Sequence, residues 1–116
     1  MLILLPPSEA KARARAGDPY DINHAPTPVR PVIRRVRKVL ISLCRKDPLA
    51  AGRALKLGAR GADLIDLNAH LDTEPCAPAA EVYTGVLFDY LNLADITPAA
   101  LAWADTHLAI RSALFG

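Results

Sequence analysis

The apolar positions change period several times along the chain, and each change marks an element. MLILL at 1–5 is a continuous apolar run closed by Pro6-Pro7. It is too short for a spanning helix, which needs about 20 apolar residues. It is also too short for a signal peptide, with about 7–15 apolar residues behind a basic segment. The run fits a strand buried on both faces, with Ser8, Glu9 and Lys11 in the loop that follows. Residues 12–31 keep no period; four prolines and a glycine make them a long loop, functional or mobile, with His24 as a solvated loop residue.

PVIRRVRKVLISLCRKDP is the clearest helix. Pro31 suits its first turn. Val32, Val36, Val39, Leu40, Leu43 and Cys44 recur at helical spacing and predict the buried face, and Arg34, Arg35, Arg37, Lys38, Arg45 and Lys46 cover much of the rest. Asp47-Pro48 ends this helix and starts the next. Helical patterns over 48–57 and 62–71 then flank LGARG, a turn with Lys56 and Arg60 at the bend. Thr73 to Pro78 is a connector, 79–84 a short extended piece and 85–91 a helix. Thr97 as N-cap and Pro98 at the first position begin a helix running to about Thr106, with Leu101 and Ala104 inward and Trp103 partly so. His107 falls at its C-terminal end, and HLAIRSALFG closes the chain as a strand. The pattern sets short strands among several helices, and 116 residues make one domain at most.

Charge adds an asymmetry that hydropathy does not show. Residues 1–60 hold 13 of the 14 Lys and Arg and 4 of the 12 Asp and Glu, a net of +9; residues 61–116 carry −7. The halves either attract each other or leave a positive surface for an anionic partner. The basic helix face likewise has two readings, solvation or phosphate binding. LGARG is either a plain turn between helices or a helix-hairpin-helix, whose backbone N–H groups hold DNA phosphates beside basic side chains.

Reactive chemistry is thin. Cys44 and Cys76 form no CxxC and read as two reduced thiols. GxSxG, GxxxxGK[ST], HExxH and GxGxxG are absent, so no catalytic constellation is expected. Asp63 and Asp66 read as surface carboxylates. His24, His70 and His107 are far apart in sequence, and neither a metal site nor a cofactor is expected.

Four stretches in order resemble one family. They are MLILLPPSEAK at the start, RALKLG at 53–58, AEVYTGVLFDYL at 80–91 and LAWADTHLAIRSALFG at the end. Together they are similar to the YaaA-like peroxide stress proteins, a widespread bacterial group, over nearly the whole chain. The sequence departs from the family at Ala10, where Thr or Ser is common, and in length. Members are roughly twice as long, so the chain reads as an N-terminal half truncated after Gly116: a shortened gene product, a fragment or a gene-model error. The resemblance makes the first strand central to a mixed α/β sheet, with its loop at the ligand-binding end. Ser8 and Thr84 would offer hydroxyls, Glu9 a carboxylate, and Lys11 and Tyr83 donors to a shared cleft. The plainer alternative is that Ser8 caps a turn and Glu9 and Lys11 are a solvated pair.

The resemblance implies a non-enzymatic cytoplasmic protein of the peroxide response that limits iron-dependent damage and binds duplex DNA. Arg34, Arg35, Arg37, Lys38, Lys56 and Arg60 would contact phosphates with little sequence preference. The alternative is an enzyme acting on a phosphorylated or nucleotide-like molecule at the Ser8–Lys11 loop. Self-association is a further expectation, because the first and last strands leave apolar edges.

Overall fold

The computed structural model describes residues 1–8, 10–25, 27–58 and 61–112. They form six α-helices and a two-stranded parallel sheet, a mixed α/β fold. The chain divides into two compact units: Met1–Gly17 with Cys76–Gly116, and the contiguous Asp18–Pro75. Among the described residues no helix is long and apolar enough to cross a membrane.

In the contiguous unit, a 3-10 turn at Ile22–His24 precedes α1 (Arg30–Lys46), α2 (Pro48–Ala54) and α3 (Gly61–Ala69). Asp47 closes α1, its N–H bonding Leu43 O, and opens α2, its carboxylate accepting from the Ala50 N–H at 2.8 Å. One local motif therefore ends one helix and starts the next, as the sequence predicts. The core joining the helices is Cys44, Ala51 and Ala69, packed against Leu40, Leu43 and Ile65. Two of its three centres are alanines, which favours close helix approach.

The buried face of α1 keeps Leu40, Leu43 and Cys44 of the expected one, but Ile33 takes the inward place expected of the three valines. Ile33 and Cys44 are almost fully buried, while Val32, Val36 and Val39 are 63%, 46% and 61% exposed. The inward stripe is Ile33, Arg37, Leu40 and Cys44, at helical spacing. It contains an arginine, so counting apolar residues misses it. Arg37 is half-buried, and its guanidinium donates to the Leu71 carbonyl at 3.2 Å.

The other unit holds β1 (Ile3–Leu5), α4 (Ala79–Val82), α5 (Val86–Leu91), a 3-10 turn at Leu93–Asp95, α6 (Pro98–His107) and β2 (Leu108–Ile110). β1 and β2 pair in parallel with Ile3 opposite Leu108 and Leu5 opposite Ile110, and Arg111 N–H extends the ladder to Leu5 O at 3.2 Å. β1 is not covered on both faces: Ile3 and Leu5 are half-buried, whereas Leu4 is 66% exposed. A continuous apolar run does not by itself say how many layers will cover it. α6 starts at the Thr97 cap and buries Ala104, as expected. The expected extended piece at 79–84 is instead the single helical turn α4, because Pro78 sets the entry and Ala79, Ala80 and Glu81 favour helix. Only Tyr83 onward is extended.

Two measurements follow from these environments. Cys44 is buried and desolvation pushes its thiol pKa up, whereas Cys76 is exposed. Burial both shields Cys44 and disfavours its reactive thiolate, so at neutral pH a maleimide should label the exposed Cys76 well over tenfold faster in the folded chain. Equal rates would contradict the burial. Met1, Leu2, Leu4, Val86 and Tyr90 are all largely exposed in one unit. Concentration-dependent self-association is expected in sedimentation velocity; a single monomeric species over a hundredfold concentration range would rule it out.

Candidate nucleic-acid interface

The outward cationic side of α1 borders a cleft of about 460 Å³. Arg34, Lys38 and Arg45 rise along one helix stripe, with Arg37 and Lys46 beside them and Ile22, Ile41 and Ser42 completing the wall. Asp72 supplies the one carboxylate in this lining. It is paired with Arg45, Nη2 to Oδ1 at 2.9 Å, and Arg45 Nε also donates to the last carbonyl of α3, Ala69 O, at 2.6 Å. Arg37 is held between Leu71 O and the Tyr20 ring, 6.0 Å from the ring centroid. These two arginines are ordered before any ligand arrives. Arg34, Lys38 and Lys46 have no ion pair among the described residues.

The six residues singled out for DNA do not form one surface. Arg34, Arg37 and Lys38 share the α1 cleft. Arg35 is exposed and lies outside that lining. Lys56 borders a second, larger cleft of about 990 Å³ beside α2 and α3, together with Arg45, Arg53 and His70. Arg60 lies outside the described residues. Arg45 and Lys46 belong to the first cleft although the sequence reading left them off its site. Their signal was the helical spacing from Arg34 through Lys38 to Arg45.

The turn after α2 has its own chemistry. Lys56 N–H bonds Arg53 O at 3.2 Å and Leu57 N–H bonds Gly52 O at 2.9 Å, the bond pair that finishes a helix on a left-handed residue. That residue is Lys56, at φ 53°, where glycine is the unstrained choice. Lys56→Gly should stabilise the chain by up to about 1 kcal/mol in a urea melt while removing one cation. A destabilised variant would mean that the side chain holds the turn. Gly61 N–H is also bonded within the turn, to Gly58 O at 2.9 Å.

In the other unit the structure brings Ser8, Lys11, Tyr83 and Thr84 together. Lys11 and Tyr83 form an antiparallel bridge, flanked by Ala12 N–H to Val82 O at 2.8 Å and Thr84 N–H to Ala10 O at 3.3 Å. The Ser8 hydroxyl donates to Thr84 O and accepts from the Ala10 N–H at 3.1 Å. Lys11 Nζ donates to Ser8 O and sits 5.1 Å from the Tyr83 ring centroid. Tyr83 packs in turn on the buried Phe88, centroids 4.9 Å apart. Thr84 joins through its backbone. Gly85 follows at φ 103°, where a Cβ would lie 3.0 Å from Ser8 Oγ, so a glycine is required beside the serine. The polar heads of Ser8 and Lys11 are thus engaged in stitching two segments. Glu9 lies outside the described residues. Among those described, no group of three or more His, Cys, Asp or Glu gathers at metal-binding distance.

The family model described as peroxide stress protein YaaA matches residues 1–116. A UPF0246 protein of Streptomyces coelicolor is 40% identical over 100% of this chain and 45% of its own length. UPF0246 proteins of Corynebacterium efficiens and Corynebacterium glutamicum are 40% and 36% identical over the same shares. The chain spans about half the length of the curated relatives it matches. No solved structure matches it.

Proposed function

The chain belongs to the peroxide stress protein YaaA family, and on that premise we propose that it serves the peroxide response in the cytoplasm as a non-enzymatic protein that binds duplex DNA and limits iron-dependent damage to it. The observation that carries this reading is the α1 cleft: five cationic side chains against one carboxylate, and that carboxylate already paired. Such a surface gains most of its affinity by releasing counterions from phosphates, and it reads no bases. Binding therefore depends steeply on salt and little on sequence. Lys56 adds a second cationic point beyond the cleft, and the Ser8–Thr84 stitch orders the loop after β1.

The test is a salt titration of the chain on two unrelated duplexes. With about four phosphates neutralised, log K should fall against log salt with a slope of roughly −3 to −4, alike on both. No binding at low salt would overturn the reading, and so would a strong preference for one duplex.

A further inference from the structure

The α1 cleft is concave, while the backbone of a double helix is convex. A duplex can lie along its exposed rim, Arg34 and Lys38, but cannot fill it. The cleft has the size of a small-ligand site, for which a few hundred Å³ is typical. Its lining is divided by chemistry. Arg34, Arg37, Lys38 and Lys46 are cations without a carboxylate partner among the described residues, and Ile22 and Ile41 form an apolar wall. Asp72 uses Oδ1 for Arg45, and its Oδ2 has no partner among the described residues. That composition asks for a ligand with a concentrated anionic head, a flat or apolar body and a donor.

We propose that this cleft binds a nucleotide through a terminal phosphate monoester, either a free mononucleotide or the 5′-phosphorylated end of a DNA strand. A monoester carries about −1.5 to −2 at neutral pH and offers three acceptor oxygens, whereas an internal phosphate of a strand carries one charge. Four uncompensated cations around one opening favour the former. The planar guanidiniums of Arg34 and Arg37 can each take two phosphate oxygens, and Arg37 is already ordered by Leu71 O. The base or sugar lies on Ile22 and Ile41, and a sugar hydroxyl or base amino group donates to Asp72. The strand-end arm rests on the DNA reading above; the mononucleotide arm does not.

The experiment titrates the full chain with AMP, with adenosine, and with blunt duplexes that differ only in carrying 5′-phosphate or 5′-hydroxyl ends. AMP should bind and adenosine should not, and the 5′-phosphate should tighten duplex binding by about tenfold. Lys38→Ala and Lys46→Ala should each weaken AMP by about fivefold. Both residues are exposed and unpaired, so helix content by circular dichroism should not change. AMP binding with no preference between duplex ends assigns the site to free nucleotides. AMP binding with no duplex binding supports the cleft and overturns the DNA reading. Duplex binding that ignores the 5′-phosphate, with no binding of AMP, overturns the cleft and leaves the DNA reading standing.

Discussion

Replacing Arg34 and Lys38 together with alanine is expected to flatten the salt dependence of duplex binding by about 2 and to weaken binding roughly thirtyfold at low salt. Each removed phosphate contact takes about one unit from the slope. Each also removes about 1 kcal/mol, a value discounted for solvent screening at the exposed rim. The loss should be the same on any duplex. Both side chains project from α1 with no partner among the described residues, so stability should be unaffected. Lys56→Ala is the informative comparison, because Lys56 borders a different cleft. It should flatten the slope by about 1 if the turn after α2 joins the same interface, and by nothing if α1 acts alone. A wild-type slope in the double variant would remove α1 from the interface.

Ile33→Ala should cost about 3 kcal/mol, while Val32→Ala, one residue away, should change stability by less than about 0.5 kcal/mol. Ile33 is 1% exposed and Val32 is 63% exposed. Arg30, three residues before Ile33 on α1, clamps the preceding loop. Arg30 Nη2 donates to Asn23 O at 2.7 Å and to Ala25 O at 2.9 Å, which fixes the preceding loop at the start of α1. That loop includes Ala25, itself buried. Truncation therefore leaves a hole the surroundings cannot easily close, and in a unit this small a few kcal/mol is a large share of stability. Paired urea melts followed by helix ellipticity decide the matter. If the valine change cost more than the isoleucine change, α1 would be facing the way its apolar count suggests.

That contrast marks where sequence reading works and where it stops. Asp47-Pro48 and Thr97-Pro98 announce helix boundaries because a cap is settled within three residues of chain. The exposure of the three α1 valines is not announced. Val32, Val36 and Val39 are as apolar as Ile33, and the half-buried Arg37 between them finds its partners, Leu71 and Tyr20, far away in sequence. The cleft was half legible. Its cations stand out as a basic helix face, but nothing local reveals that Asp72 will neutralise Arg45 or that Ile22 will wall one side. The meeting of the Ser8 loop with Tyr83-Thr84 was visible only through family resemblance, since no periodicity links segments that far apart. It is the backbone of Thr84 that makes the contact, which side-chain chemistry does not foretell.

The order in which the chain is made gives its division a temporal meaning. β1 is translated well before its partner β2, so Ile3 waits for Leu108 while the residues between them are synthesised. Asp18–Pro75 is contiguous, and its helices contact one another over short separations. Local contacts close quickly and distant ones slowly, and chains emerge more slowly than small helical units fold. The inserted unit should therefore be native on the ribosome while MLILL is still unpaired. The nascent chain then carries a finished basic module together with an apolar β1 segment that must be kept from other chains until β2 emerges.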